Sequence, residues 1–202
     1  MSKNAVDSIL DSATTLFAQR GVNGVSLAEI AKRAKVSSGL IIYHFKSKDN
    51  LLFIVSRELF LKLYRKSFEV MSVAKTPLDA LNALVDAFFS FAAENTQGIT
   101  FLARFDPFLN FDMTQFPEAE LRILKERFIG LIKEYVVHGI SREHFKSVSY
   151  DTFPAFIWSM LLGICHTYND YPDHAELCNE MKRVVTLRLT GLSENHCQVC
   201  PA

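Results

Sequence analysis

The sequence predicts an all-α protein in two parts: an N-terminal three-helix unit containing a helix-turn-helix, and a larger helical body. Three observations predict it. Glycine and proline are sparse, at 8 and 6 of 202 residues, and no stretch alternates apolar and polar residues as a half-buried strand would. Apolar residues recur instead at three- and four-residue spacing. Helix start and stop signals follow one another across short gaps. The chain is 49% hydrophobic and holds 17 phenylalanines, so it can bury a sizeable core.

Taken in order, residues 4–20 place Val6, Ile9, Leu10, Ala13, Leu16 and Phe17 on one face, and Gly21 is the stop. Ser26-Leu-Ala-Glu29 is a capping box, predicting a helix from Ser26 to about Ala34. After a break at Lys35-Val36, a short helix is expected from Ser38 to His44. Ser47 then caps a long one reaching toward Val73. Thr76-Pro77 is an N-cap with proline at the first helical position. The next helix is expected to kink or end near Pro107; Pro117 opens another, which Gly139 ends. A further helix begins between Tyr150 and Pro154, and Pro172 opens the last, with Gly191 past its end. The parts expected are residues 1–47, residues 48–192 and a tail, 193–202.

Net charge is zero overall, but the first fifty residues carry seven lysines and arginines against four acids, a net +3. A basic end on a mildly acidic body suggests an anionic partner for that end alone. The second and third helices, joined by a very short turn, form a helix-turn-helix whose last helix can enter a major groove about 12 Å wide. Small residues are needed where backbone meets DNA, and Ser37, Ser38 and Gly39 supply them. Tyr43, His44 and Lys48 are placed to donate to phosphates. Ile30, Ala34, Val36, Ile41 and Phe45 are the expected small core.

Residues 9–52, ILDSATTLFAQRGVNGVSLAEIAKRAKVSSGLIIYHFKSKDNLL, resemble the DNA-binding domain of the TetR family of transcriptional regulators. The resemblance rests on Ala13, Phe17, Gly21, Ile30-Ala31, Ala34, Val36-Ser37, Gly39, Tyr43-His44-Phe45 and Lys48, and covers about a quarter of the chain. It implies a ligand-responsive repressor that binds a palindromic operator in double-stranded DNA as a homodimer, with no catalysis and no cofactor. The residues expected to face DNA are then Ser26, Lys35, Ser37, Ser38, Gly39, Leu40, Tyr43, His44 and Lys48. Two positions depart from the common pattern. Many members have an aromatic where Ile42 stands and a glycine where Lys35 stands. A left-handed lysine there would cost on the order of 1 kcal/mol.

The helix near 153–168 is apolar on nearly every side, which suggests core on one face and a second subunit on another. TetR relatives dimerise through their last two long helices; the expected seam here is Trp158, Leu161, Gly163, Met181, Val185 and Leu189. The phenylalanines between 88 and 116 read first as an aromatic core. The resemblance implies a cavity there for a small apolar or aromatic effector, with Phe101, Arg104, Phe105, Phe108 and His166 as its expected lining. Arg104 has two readings, an ion pair with Asp106 or another acid, and a ligand carboxylate. His166 and Tyr168 could face the cavity or the seam.

The tail holds His196, Cys197 and Cys200, a Cys-x-x-Cys with a neighbouring histidine. It offers at most three ligands where a structural zinc needs four, so no metal is assigned and a metal- or redox-sensing regulator is the alternative reading. Cys165 and Cys178 are expected inside their helices. An enzyme is the third class, but no nucleophile–base pair, phosphate-binding glycine loop or His-Glu-x-x-His motif is present in the sequence. The most apolar run, FPAFIWSMLLGIC at 153–165, is too short to span a bilayer, and a cytoplasmic protein without membrane attachment is expected.

Overall fold

The structure is a computed structural model that describes residues 5–110, 120–146 and 148–191. Those residues form ten α-helices and one 3-10 turn. Phe111, Phe116, Pro117 and the tail cysteines lie outside them.

Local chemistry sets the first four helices. α1 (Ala5–Arg20) buries Ile9, Ala13, Leu16 and Phe17 along one stripe. It stops at Gly21, whose φ of 73° suits a residue without a Cβ. α2 (Leu27–Ala34) begins at the Ser26 capping box. It ends at Lys35, which takes the left-handed conformation (φ 58°, ψ 42°) as the position demands. Two residues later Ser37 accepts from the Leu40 amide and opens α3 (Ser38–Phe45). Ile30, Ala34, Ile41 and Phe45 are buried and Val36 partly so, and they hold α2 and α3 to α1. α4 (Lys48–Ser72), capped by Ser47, runs 25 residues, about 37 Å.

α5 (Pro77–Glu94), capped by Thr76 with Pro77 in its first turn, is buried on most sides and packs on α4, α8 and α10. α6 (Thr96–Arg104) stops short of Pro107, which opens the single turn α7 (Pro107–Asn110). α8 spans Glu120–Ser141, α9 Thr152–Thr167 and α10 His174–Thr190, with the 3-10 turn Tyr168–Asp170 between the last two. α1 packs on α6 as well as on α2, so the first helix belongs to both parts.

Two expected boundaries are corrected. Gly139 does not end α8, which continues to Ser141, and the left-handed residue beyond it is Glu143. The glycine is there for contact: a Cβ at 139 would lie only 2.1 Å from the edge of the Phe145 ring. Pro172 does not open α10 either. Asp173 caps it by accepting from the Glu176 amide at 2.9 Å, which leaves the proline outside the helix.

Most of the expected seam residues are covered within the single chain. Trp158, Leu161, Met181, Val185 and Leu189 are all buried within the chain's own core. A side chain already covered has no area left for a partner. Of the six, Gly163 alone is exposed. The outward apolar groups on these helices are Phe156, 46% exposed, and Val184, 41% exposed.

Candidate nucleic-acid interface and effector cavity

α3 has two faces. Ile41 and Phe45 point into the core, and the opposite face is open. Ser37, Ser38, Gly39 and His44 are exposed, and Tyr43 is 70% exposed, a high value for an aromatic. An added Cβ at Gly39 would meet only the Ser37 hydroxyl at 3.9 Å. Internal packing therefore leaves room for a larger side chain, and smallness at 39 matters for something approaching from outside. Leu40 and Lys48 are half-buried and Lys35 is exposed. Ile42 is 52% exposed where an aromatic is common in the family that these residues resemble.

Ser26 is committed locally. Its N–H donates to Glu29 Oε2 at 2.9 Å, its hydroxyl donates to the same oxygen at 2.8 Å, and it accepts from the Glu29 amide at 3.3 Å. The backbone N–H of Ser26, then its hydroxyl and the Arg20 guanidinium, hold the Glu29 carboxyl below its ordinary range. Arg20 reaches Glu29 at 2.7 Å, pinning α2 to the end of α1. Lys46 carried no assignment from the sequence, yet it has a positive φ and an ammonium against Tyr43. Only its place after α3 in the Phe-Lys-Ser-Lys run could have signalled it.

The expected effector residues divide. Phe108 packs with Phe60 (5.0 Å between centroids) and Trp158 (5.8 Å), and Phe128 joins Trp158 at 5.2 Å. Rings from α4, α7, α8 and α9 thus fill the region with one another. Phe101 and Phe105 stack at 5.7 Å, and Phe101 meets Phe17 of α1 at 6.0 Å. Arg104 points elsewhere: it donates to the Gln19 carbonyl at 3.1 Å, tying α6 to the C-terminal end of α1, where a cation is favoured. His166 lies 3.2 Å from the Ala103 carbonyl through Nδ1 and 3.8 Å from the Asp106 carboxylate through Nε2. Tyr168 is buried.

A groove of about 660 Å³ opens between α1, α4 and the α5–α6 junction, bordered by Asp7, Asp11, Glu58, Lys62, Glu94 and Gly98. None of the expected effector residues lines it. Cys165 and Cys178 are buried, with burial the main cause pushing their thiols up to about 12 and about 11. Among the described residues no histidine, cysteine and carboxylate groups cluster to hold a metal, and no helix is long and apolar enough to cross a membrane.

Residues 9–54 match the family model for bacterial regulatory proteins of the tetR family. The chain is 29% identical over 138 residues to the HTH-type transcriptional repressor KstR2 of Mycolicibacterium smegmatis, covering 67% of each. Its fold superimposes on the fatty acid degradation regulator FadR of Bacillus halodurans with a TM-score of 0.78, at 20% identity over 93% of this chain and 99% of that one. FadR of Bacillus subtilis, solved in complex with stearoyl-CoA, gives the same TM-score at 18% identity over 92% and 98%. Residues 9–54 thus carry the DNA-binding domain of the TetR family, and with the helix-turn-helix geometry these likenesses support a TetR-family transcriptional regulator.

Proposed function

We propose that this regulator is an effector-controlled repressor that binds a palindromic operator as a homodimer, with α3 in the major groove. The open face of α3 carries the reading. Ser37, Ser38 and Gly39 let its N-terminal end approach base edges, and Tyr43, His44 and Lys48 flank it where phosphates lie. Two heads about 34–36 Å apart would read successive major grooves. The partner copy would cover Phe156, Gly163 and Val184 on α9 and α10.

The effector proposed has an apolar or aromatic portion. The stearoyl-CoA held by the Bacillus subtilis protein is one such molecule. To enter, it must part the Phe60, Phe108 and Trp158 rings. Phe60 belongs to α4, whose first residue, Lys48, lies beside α3. Phe101 transmits to the same head by a second route, through Phe17. A ligand shifts an equilibrium only by its different affinity for two states, so the ring cluster must differ between DNA-competent and DNA-free forms.

Selection of bound duplexes from a randomised pool tests the reading. A palindrome with half-sites about one helical turn apart is expected, bound by two chains. Recovery of unrelated sequences, or of a site occupied by one chain, would overturn it. Stearoyl-CoA, free stearate and free coenzyme A, added in turn, then show which part of such a molecule acts.

A further inference from the structure

Lys46 joins α3 to α4 with φ 63° and ψ −48°. The Ser47 amide donates to the Phe45 carbonyl at 2.7 Å, closing a three-residue turn centred on the lysine. Such positive-φ γ-turns are rare and strained, and they persist where the surroundings hold them. Here Asn50 Nδ2 donates to the same Phe45 carbonyl at 2.9 Å, and the Lys46 amide donates to the Ile42 carbonyl at 3.0 Å. The turn leaves the lysine side chain lying along the last turn of α3. Its Nζ donates to the Tyr43 carbonyl at 2.8 Å and sits 5.3 Å from the centroid of the Tyr43 ring. His44 meets the same ring edge-on at 5.1 Å. The most exposed aromatic of α3 therefore has both an ammonium and an imidazole against its ring, although nothing buries it.

We propose that Lys46 is a positioning residue for DNA recognition: it fixes the Tyr43 ring against the end of α3, so that the phenol is oriented for the phosphate backbone before DNA arrives. Ordering an exposed side chain on binding costs affinity, and a ring already held avoids that cost. The cation also suits the C-terminal carbonyls of α3. Strain in the backbone is thus tied to a contact that glycine, though free to adopt the same φ, could not make. The proposal rests on reading α3 as the recognition helix.

The test uses the full chain and the duplex recovered by selection. Lys46→Gly should keep or raise the melting temperature, because glycine relieves the turn, yet weaken binding about tenfold across the two heads. The slope of log K against log[salt] should not change, since the number of cations on phosphates is the same. Lys46→Arg should restore most of the affinity. With Tyr43→Phe already in place, Lys46→Gly should cost little more. Additive losses would overturn the proposal, and so would a slope reduced by about 2 per dimer, which would make Lys46 a phosphate contact itself. Ring NMR of Tyr43 in the free protein separates this from the recognition reading. A Tyr43 ring signal unchanged by Lys46→Gly overturns the positioning role whatever DNA does, whereas wild-type protein that selects no sequence overturns the recognition reading alone.

Discussion

Both ends of the chain expose apolar groups, but in different company. On α3, Tyr43 and Ile42 stand out among serines, a glycine, a histidine and lysines. On α9 and α10, Phe156 and Val184 stand out beside Ser159 and Gly163, while Trp158, Leu161 and Val185 on the same helices are sealed inside. The first surface suits a hydrated, charged partner, and the second a partner that is itself apolar. The difference also shows that helices of similar apolar content must be read residue by residue, because neighbours on one helix serve the core and the outside alternately.

One charge on each side of that boundary should separate the two kinds of surface. Val185→Asp puts a carboxylate at a fully buried site, at a cost of about 3–5 kcal/mol, and should unfold the chain. Phe156→Asp should leave the helical signal and melting of the isolated chain nearly intact and yield monomers in sedimentation. If Val185→Asp instead gave folded monomers, α10 would be packed less tightly than it is here. If Phe156→Asp stayed dimeric, the partner face would lie elsewhere.

Lys48→Ala makes the equivalent cut at the other end. Lys48 is the first residue of α4, which packs against α3. Losing it should weaken binding to all duplexes alike and lower the salt slope by about 2 for a dimer. Unchanged binding at low salt would remove Lys48 from the interface. The same variant should leave thermal stability unchanged, in contrast to Val185→Asp.

The two regions also differ in how much the sequence alone could reveal. Around α2 and α3 the determinants are local: a capping box at Ser26, a left-handed residue at 35 and caps at Ser37 and Ser47 each act within four residues of themselves. Helix limits there were legible to a residue or so. In the body the same signals were ambiguous. Gly139 reads as a stop, but its meaning lies in Phe145 across the following turn. Arg104 reads as a partner for an acid or a ligand, but its acceptor is a carbonyl 85 residues earlier. Which side of α9 faces inward depends on α6 and α8, which no period within α9 encodes. Lys46 was missed for the opposite reason: its conformation is local but follows no common turn signature.

The interior of the body offers a smaller effect of opposite sign. Ser67 on α4 is fully buried, and its hydroxyl has no hydrogen-bond partner. Ser56, equally buried on the same helix, bonds the Leu52 carbonyl at 3.0 Å. Ser67→Ala should therefore stabilise the chain by about 1 kcal/mol, while Ser56→Ala should be neutral or destabilising. Equal melting shifts for the two would mean that the Ser67 hydroxyl finds an acceptor in solution.

The smallest effect predicted sits at the junction of α1 and α2. The Ser26 N–H and hydroxyl and the Arg20 guanidinium hold the Glu29 carboxyl below its ordinary value of 4.5. Because the folded value is the lower one, the stabilisation is complete above the unfolded value and disappears as pH falls through the folded value. Glu29→Gln keeps an acceptor for the capping box but loses the charge. It should melt slightly below wild type near pH 7, and the gap should close as pH falls through the lowered folded value, below which wild type has lost its carboxylate too. The substitution also releases Arg20 and removes one negative charge from each head. Binding to any duplex should then strengthen at low salt even as the head loses stability. Lower stability with unchanged DNA affinity would show that Glu29 acts on the cap alone, and that charge on this side of α1 and α2 lies beyond the reach of the phosphates.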